Sequence, residues 1–147
     1  MSATTAFEDL LLDLLFLNTG IADIGDGTGL PASASPGTTQ LSLHTVALTD
    51  ASTVMTQNEC AYTGYNRAIP ARSGAGWTSA ASTAANAAIE QFDEKTGGGN
   101  ETAVHCGIGL IGTGSVLRIH ADLGADLLIS DGVNPQFAIG ALQINLD

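Results

Sequence analysis

The chain has 147 residues, and 15 acidic side chains against four basic ones give it a formal net charge of -11. A surface of that sign repels phosphate backbones and anionic lipid heads, which argues against nucleic acid and membranes as partners. A hydrophobic share of 44 % with 13 % charged residues excludes disorder driven by charge, and the length suits one domain spanning 1–147.

The N-terminus carries Glu8 and Asp9 where a secretory signal would be positive. Its apolar run from Leu10 to Leu17 is broken by Asp13 and is too short to cross a bilayer. Residues 5–17 read as a helix within an N-terminal segment, 1–18. Thr5 and Glu8 have capping-box spacing, and Glu8 and Asp9 suit the positive end of the helix dipole. Phe7, Leu10, Leu11, Leu14 and Leu15 follow the stripe of a core-facing helix. Leu12 and Phe16 fall outside that stripe, so either a loop or another subunit covers them. Phe7, Leu12 and Phe16 are therefore the candidate contacts to a neighbouring subunit.

Residues 19–39 form a loop rich in Gly, Asp, Ser and Pro, and 40–147 form a β-domain. Leu41 and Leu43 alternate with Ser42 and His44, the period of a strand with one dry face, and Tyr65, Arg67 and Ile69 alternate likewise. Both tyrosines and the only tryptophan lie between Gln40 and Trp77, so the core is expected on Leu41, Leu43, Tyr65, Ile69 and Trp77, joined by Phe137. Thr49 to Asn58 is polar and reads as an exposed excursion. The Ala/Ser/Thr run at 78–88 leads as a strand into Ala88–Phe92, and 97–100 is a flexible turn. Val104, Cys106, Ile108 and Leu110 predict a strand, and a turn at 112–115 leads into Leu117 and Ile119 as a hairpin. Leu127 to Ile129 and Leu142 to Leu146 close the series. One helix and seven or eight short strands point to a mainly β fold, an antiparallel sandwich or barrel of jelly-roll type.

Few residues suggest chemistry. Gly107–Gly112 matches GxGxxG letter for letter, but Thr113-Gly114-Ser115 cannot start the helix that a dinucleotide needs, so strand glycines are the better reading. Asp23–Gly29 lacks the ligand spacing of an EF-hand and reads as a surface turn. His105 and Cys106 point to opposite faces of a strand, and His44 and His120 have no ligand partner at i+2 or i+4, so exposed strand histidines are expected and no metal. There is no GxSxG elbow. Arg67 and Arg72 beside Tyr62 and Tyr65 read either as an anion or sugar site or, more simply, as salt bridges. Cys60 and Cys106 are expected as reduced, buried residues. No catalytic residue, cofactor or metal site is assigned.

Several segments together resemble a family of small tailed-phage virion proteins, labelled tail fibre or head decoration proteins. They are the opening Met1–Glu8, Leu41–Thr45, Tyr62–Arg67, Ser73–Trp77, His105–Gly109, and Pro135-Gln136-Phe137 through Leu142. Relatives carry an Asp-Pro-Gly turn where this chain has Val46–Thr49, so that turn is not carried over. The resemblance implies a structural role in the virion and no catalysis. The reading that follows is a capsid decoration (cement) protein, a homotrimer bound to the major capsid protein on the outside of the head, with Phe7, Leu12 and Phe16 as contacts. The alternatives are a tail or tail-fibre component that meets the host receptor, and a calcium- or carbohydrate-binding module.

Overall fold

A computed structural model describes residues 2–25, 27–110 and 114–146. The fold is mainly β with one N-terminal helix, α1 (Thr5–Leu12), continued by a π-helical turn, Asp13–Leu17. Eight strands follow among the described residues: β1 (Gln40–His44), β2 (Trp77–Ala80), β3 (Thr83–Asn86), β4 (Glu90–Gln91), β5 (Glu101–Gly109), β6 (Ile119–Ile129), β7 (Gln136–Phe137) and β8 (Gln143–Asn145). They form open sheets in the orders β1-β5-β6 and β2-β3-β8 and a pair, β4-β7, so no closed barrel is present among the described residues. The chain expected as one domain divides into two compact units of discontinuous segments. One contains Met1–Thr38, Pro70–Ile89 and Phe137–Asp147; the other contains Thr39–Ile69 and Glu90–Gln136.

In the first unit the helix starts one residue earlier than its capping-box spacing suggests. Thr4 is the N-cap, its Oγ1 accepting from the Phe7 amide at 3.4 Å. Glu8 does not reach back to the cap. Its Oε2 accepts from Ser82 Oγ at 2.6 Å, while Asp9 Oδ1 accepts from the Ser82 amide at 2.6 Å. That anchor sets the rotation of the helix, so the row facing inward is Glu8, Leu12 and Phe16, an i, i+4, i+8 ridge. Leu12 and Phe16 have no exposed surface, and Phe16 packs on Trp77 with ring centroids 4.6 Å apart. Burying each of these two side chains contributes roughly 1.5–3 kcal/mol. The stripe expected to face the core is turned outward at Phe7 and Leu10, 39 % and 38 % exposed.

Ser82 receives these carboxylates because it lies in a tight turn. β2 and β3 pair antiparallel with Ala80 opposite Thr83, leaving a two-residue loop of Ala81 and Ser82 at φ 53° and 62°. A two-residue hairpin loop with both residues left-handed is type I′, which normally takes Asn-Gly. β3 pairs in turn with β8, Ala84 opposite Ile144. Buried Asn86 fixes that return, donating to the Ala88 and Ala138 carbonyls and accepting from the Leu142 amide.

The second unit is built on β1, β5 and β6. β1 pairs with β5 over five residues, Leu43 opposite Cys106 and His44 opposite His105. β5 pairs with β6 in two stretches separated by a bulge at 123–126, where Asp122 Oδ1 accepts from the Gly124 amide at 2.6 Å. Leu41, Leu43 and, in the first unit, Trp77 are buried, whereas Tyr65 and Phe137 are half-buried. The strand expected at Tyr65–Ile69 is absent: only Thr63 and Ala68 make isolated bridges, and Ala68 opposite Leu41 is the buried residue. One step of register puts Ile69 on the other side, 52 % exposed, so it does not belong to the core.

Candidate functional site

Of the three expected contact residues, only Phe7 reaches the surface. Leu12 and Phe16 are sealed inside the first unit and offer nothing to a neighbour, because the Glu8 and Asp9 anchor turns their row inward. The outward row consists of Phe7 and Leu10, three residues apart and therefore on one side of α1. Leu10 belongs to the stripe expected to face the core, and periodicity alone does not separate that stripe from its opposite, since leucines occupy both. The helical segment is held at its far end by Arg72, which donates to the Leu14 and Leu15 carbonyls, to Asn18 Oδ1 at 2.9 Å and to Ser33 Oγ at 3.1 Å. A guanidinium at a helix C-terminus meets the negative end of the dipole. Arg72 is thus a cap, with its donors occupied, and no part of an anion or sugar site.

Arg67 in the second unit is equally engaged. It grips Glu59 bidentately at 2.6 and 2.7 Å and donates to Gln40 Oε1 and the Gly114 carbonyl. Glu59 also accepts from the Tyr65 hydroxyl at 2.9 Å, which itself accepts from the Leu43 amide. Burial, with the Glu59 carboxylate beside it, pushes that phenol far up; the same pairing raises the Arg67 guanidinium. Lys95 has no exposed surface; its Nζ donates to the Gly97 and Gly98 carbonyls and to the Asp131 carboxylate. The glycine turn expected to be flexible is therefore pinned by a side chain that no sequence period marks. Burial pushes the thiols of Cys60 and Cys106 up to about 12 and about 11, so both stay protonated and unreactive at neutral pH, and both are free.

The sheet of the second unit brings all three histidines to one face. His44 lies opposite His105, His105 opposite Asp122, and Gly107 opposite His120, and residues directly opposite share a face. Neither His44 nor His120 is the exposed strand residue expected: His44 is buried, as is His105, and His120 is half-buried. His44 Nδ1 donates to the Gln57 carbonyl at 2.9 Å, which leaves Nε2 to accept from Ser42 Oγ at 2.8 Å. This has the spacing of a nucleophile and its base, yet neither side chain has exposed surface where a substrate could approach. Gly107 and Gly109 are strand glycines, because the covering residues come so close. A Cβ on Gly107 would lie 2.7 Å from Leu117 and 2.9 Å from His44, and one on Gly109 would lie 2.6 Å from the Met55 sulfur. Ile111 and Gly112 of that motif, the start of the turn at 112–115, and Asp26 of the 23–29 turn lie outside the described residues. Among the described residues no group of three or more His, Cys, Asp or Glu could hold a metal ion, and no helix is long and apolar enough to cross a membrane.

Residues 3–145 match the family model Gp80, described as podophage GP4 fiber I protein gp80. The chain belongs to this family of phage structural proteins. No curated protein matches it. The match spans the helix, both units and nearly the whole chain, as did the segments that carried the resemblance.

Proposed function

We propose that this chain is a non-catalytic structural subunit on the exterior of a phage particle, seated on the head as a homotrimeric decoration protein in contact with the major capsid protein. The observation that carries this reading is the outward row of α1. Phe7 and Leu10 stay about two-fifths exposed on a helix whose opposite row is fully buried. An apolar row held outward by a rigid anchor suits a protein that works by contact. Membership in a phage structural family supports the same reading. The acidic composition suits a position away from packaged DNA and from lipid, with no cofactor required. Binding only to the assembled lattice would stabilise the shell by mass action.

Quantitative mass spectrometry of purified particles tests the placement: a head decoration protein is present in hundreds of copies. A few copies, or a few tens, would favour the second reading, a tail-fibre component with host-receptor contact, which the word fiber in the family description supports. Phe7→Asp with Leu10→Asp tests the surface itself. The double variant is expected to keep its stability within about 1 kcal/mol, since both positions are substantially exposed. Self-association and particle binding should be lost, as read by sedimentation velocity and co-purification. Undiminished assembly of the folded variant would remove the helix face from the proposal.

A further inference from the structure

The segment 46–58, which contains the excursion expected to be exposed at 49–58, instead covers the histidine-bearing face of the sheet. Leu48, Ser52 and Met55 are buried, and Leu48 and Met55 form a cluster with Leu117. Each of the three histidines meets this one segment through a ring nitrogen. The Leu48 amide donates to His105 Nδ1 at 3.2 Å, His44 Nδ1 donates to the Gln57 carbonyl, and His120 Nε2 lies 3.5 Å from Asp50 Oδ1. The His105 and His120 rings stack on one another, with centroids 6.0 Å apart.

We propose that 46–58 is a lid latched by His44, His105 and His120, and that acid releases it. The His105 contact requires a neutral ring. His105 Nδ1 accepts from an N–H, so its proton sits on Nε2, 3.3 Å from Asp122 Oδ2. A second proton on Nδ1 sets a donor against the Leu48 donor and breaks that contact. His44 faces Ser42 from its own strand, the Gln57 carbonyl from the lid, Glu59 and Arg67 beyond it, and His105 from β5. Burial outweighs the rest and holds His44 below the ordinary histidine value of 6.5. A ring depressed when covered and ordinary when uncovered binds its proton preferentially in the open form. The closed form therefore keeps its full stability above about pH 6.5 and loses it as the pH falls below. His120 faces Asp50 from the lid and His105 from β5. Its Nδ1 is buried with no hydrogen-bond partner among the described residues.

Amide hydrogen exchange on the full chain between pH 7.5 and 5.5, corrected for the intrinsic rate, tests the lid. The Leu48, Ser52 and Met55 amides, bonded to His105, Thr49 and Ser115, are expected to lose protection below about pH 6.5. The loss should approach tenfold per pH unit for each proton taken up, while the β1–β5 amides stay protected. His44→Gln with His105→Gln should flatten the profile. A pH-independent lid, a loss shared equally by β1–β5, or an unchanged slope in the folded double variant would each overturn the proposal; if that variant does not fold, the wild-type profile decides.

Discussion

The two units solve burial in opposite ways. In the first, the contact between the helical segment and the β2–β3 hairpin is apolar at its centre, Leu12 and Phe16 against Trp77, with Glu8 and Asp9 holding only its edge. In the second, one face of the sheet carries buried polar side chains, Gln40 bonded to Arg67, Ser42 to His44, and His44 and His105 to the loop that covers them. Apolar packing tolerates any neighbour of suitable shape, whereas a buried donor or acceptor tolerates only its complement. The first unit is therefore expected to respond to side-chain volume, and the second to the loss of individual hydrogen-bond partners and to pH.

The largest effect that would separate the two is a cavity at the helix. Leu12→Ala and Phe16→Ala are each expected to cost about 2–5 kcal/mol in chemical denaturation. Leu12→Asp with Phe16→Asp should unfold the chain, and a folded product would mean that the helix does not sit as described. Next is Lys95→Met in the second unit, which removes the shared donor of two turn carbonyls and of Asp131. Asp131 is largely exposed and can turn to water, so the expected cost is about 1–3 kcal/mol, from the orphaned carbonyls alone. A value near zero would show that the polar side is held by packing after all. The smallest effect sharpens the account of the first unit: Ala81→Gly at φ 53° should raise stability by about 0.5–1 kcal/mol by relieving a left-handed alanine. A loss there would mean that the Ser82 clamp depends on alanine's restriction of the turn.

Legibility cut across that division. β1, β5 and β8 were readable because Leu41 and Leu43, Cys106 and Ile108, and the flanks of Ile144 alternate at the period of a strand. The β2–β3 hairpin was not, because Ala81-Ser82 lacks the residues that announce a type I′ turn and depends on carboxylates more than seventy positions away. The segment 49–58 reads as solvated because its polar groups are numerous, yet the Gln57 carbonyl is spent on His44 of the sheet beneath and Ser52 Oγ on the Thr49 amide within the loop. In the candidate contact set, Phe7 is exposed and Leu12 and Phe16 are buried, a difference the sequence does not mark because a helix with leucines at 10, 11, 12, 14 and 15 has no unique apolar side.

Composition and alternation alone determined that this is an acidic, mainly β chain with one N-terminal helix, and short ordered segments tied it to phage structural proteins. Those features are local, or sums over the chain, and need no knowledge of what lies opposite. Only the tertiary structure decided which helix row is buried, that the histidines share one covered face, and that the few cations are nearly all committed to internal partners. Each of these depends on a contact between residues far apart in the chain, where a side chain's environment is set by its neighbour in space and not by its neighbour in sequence.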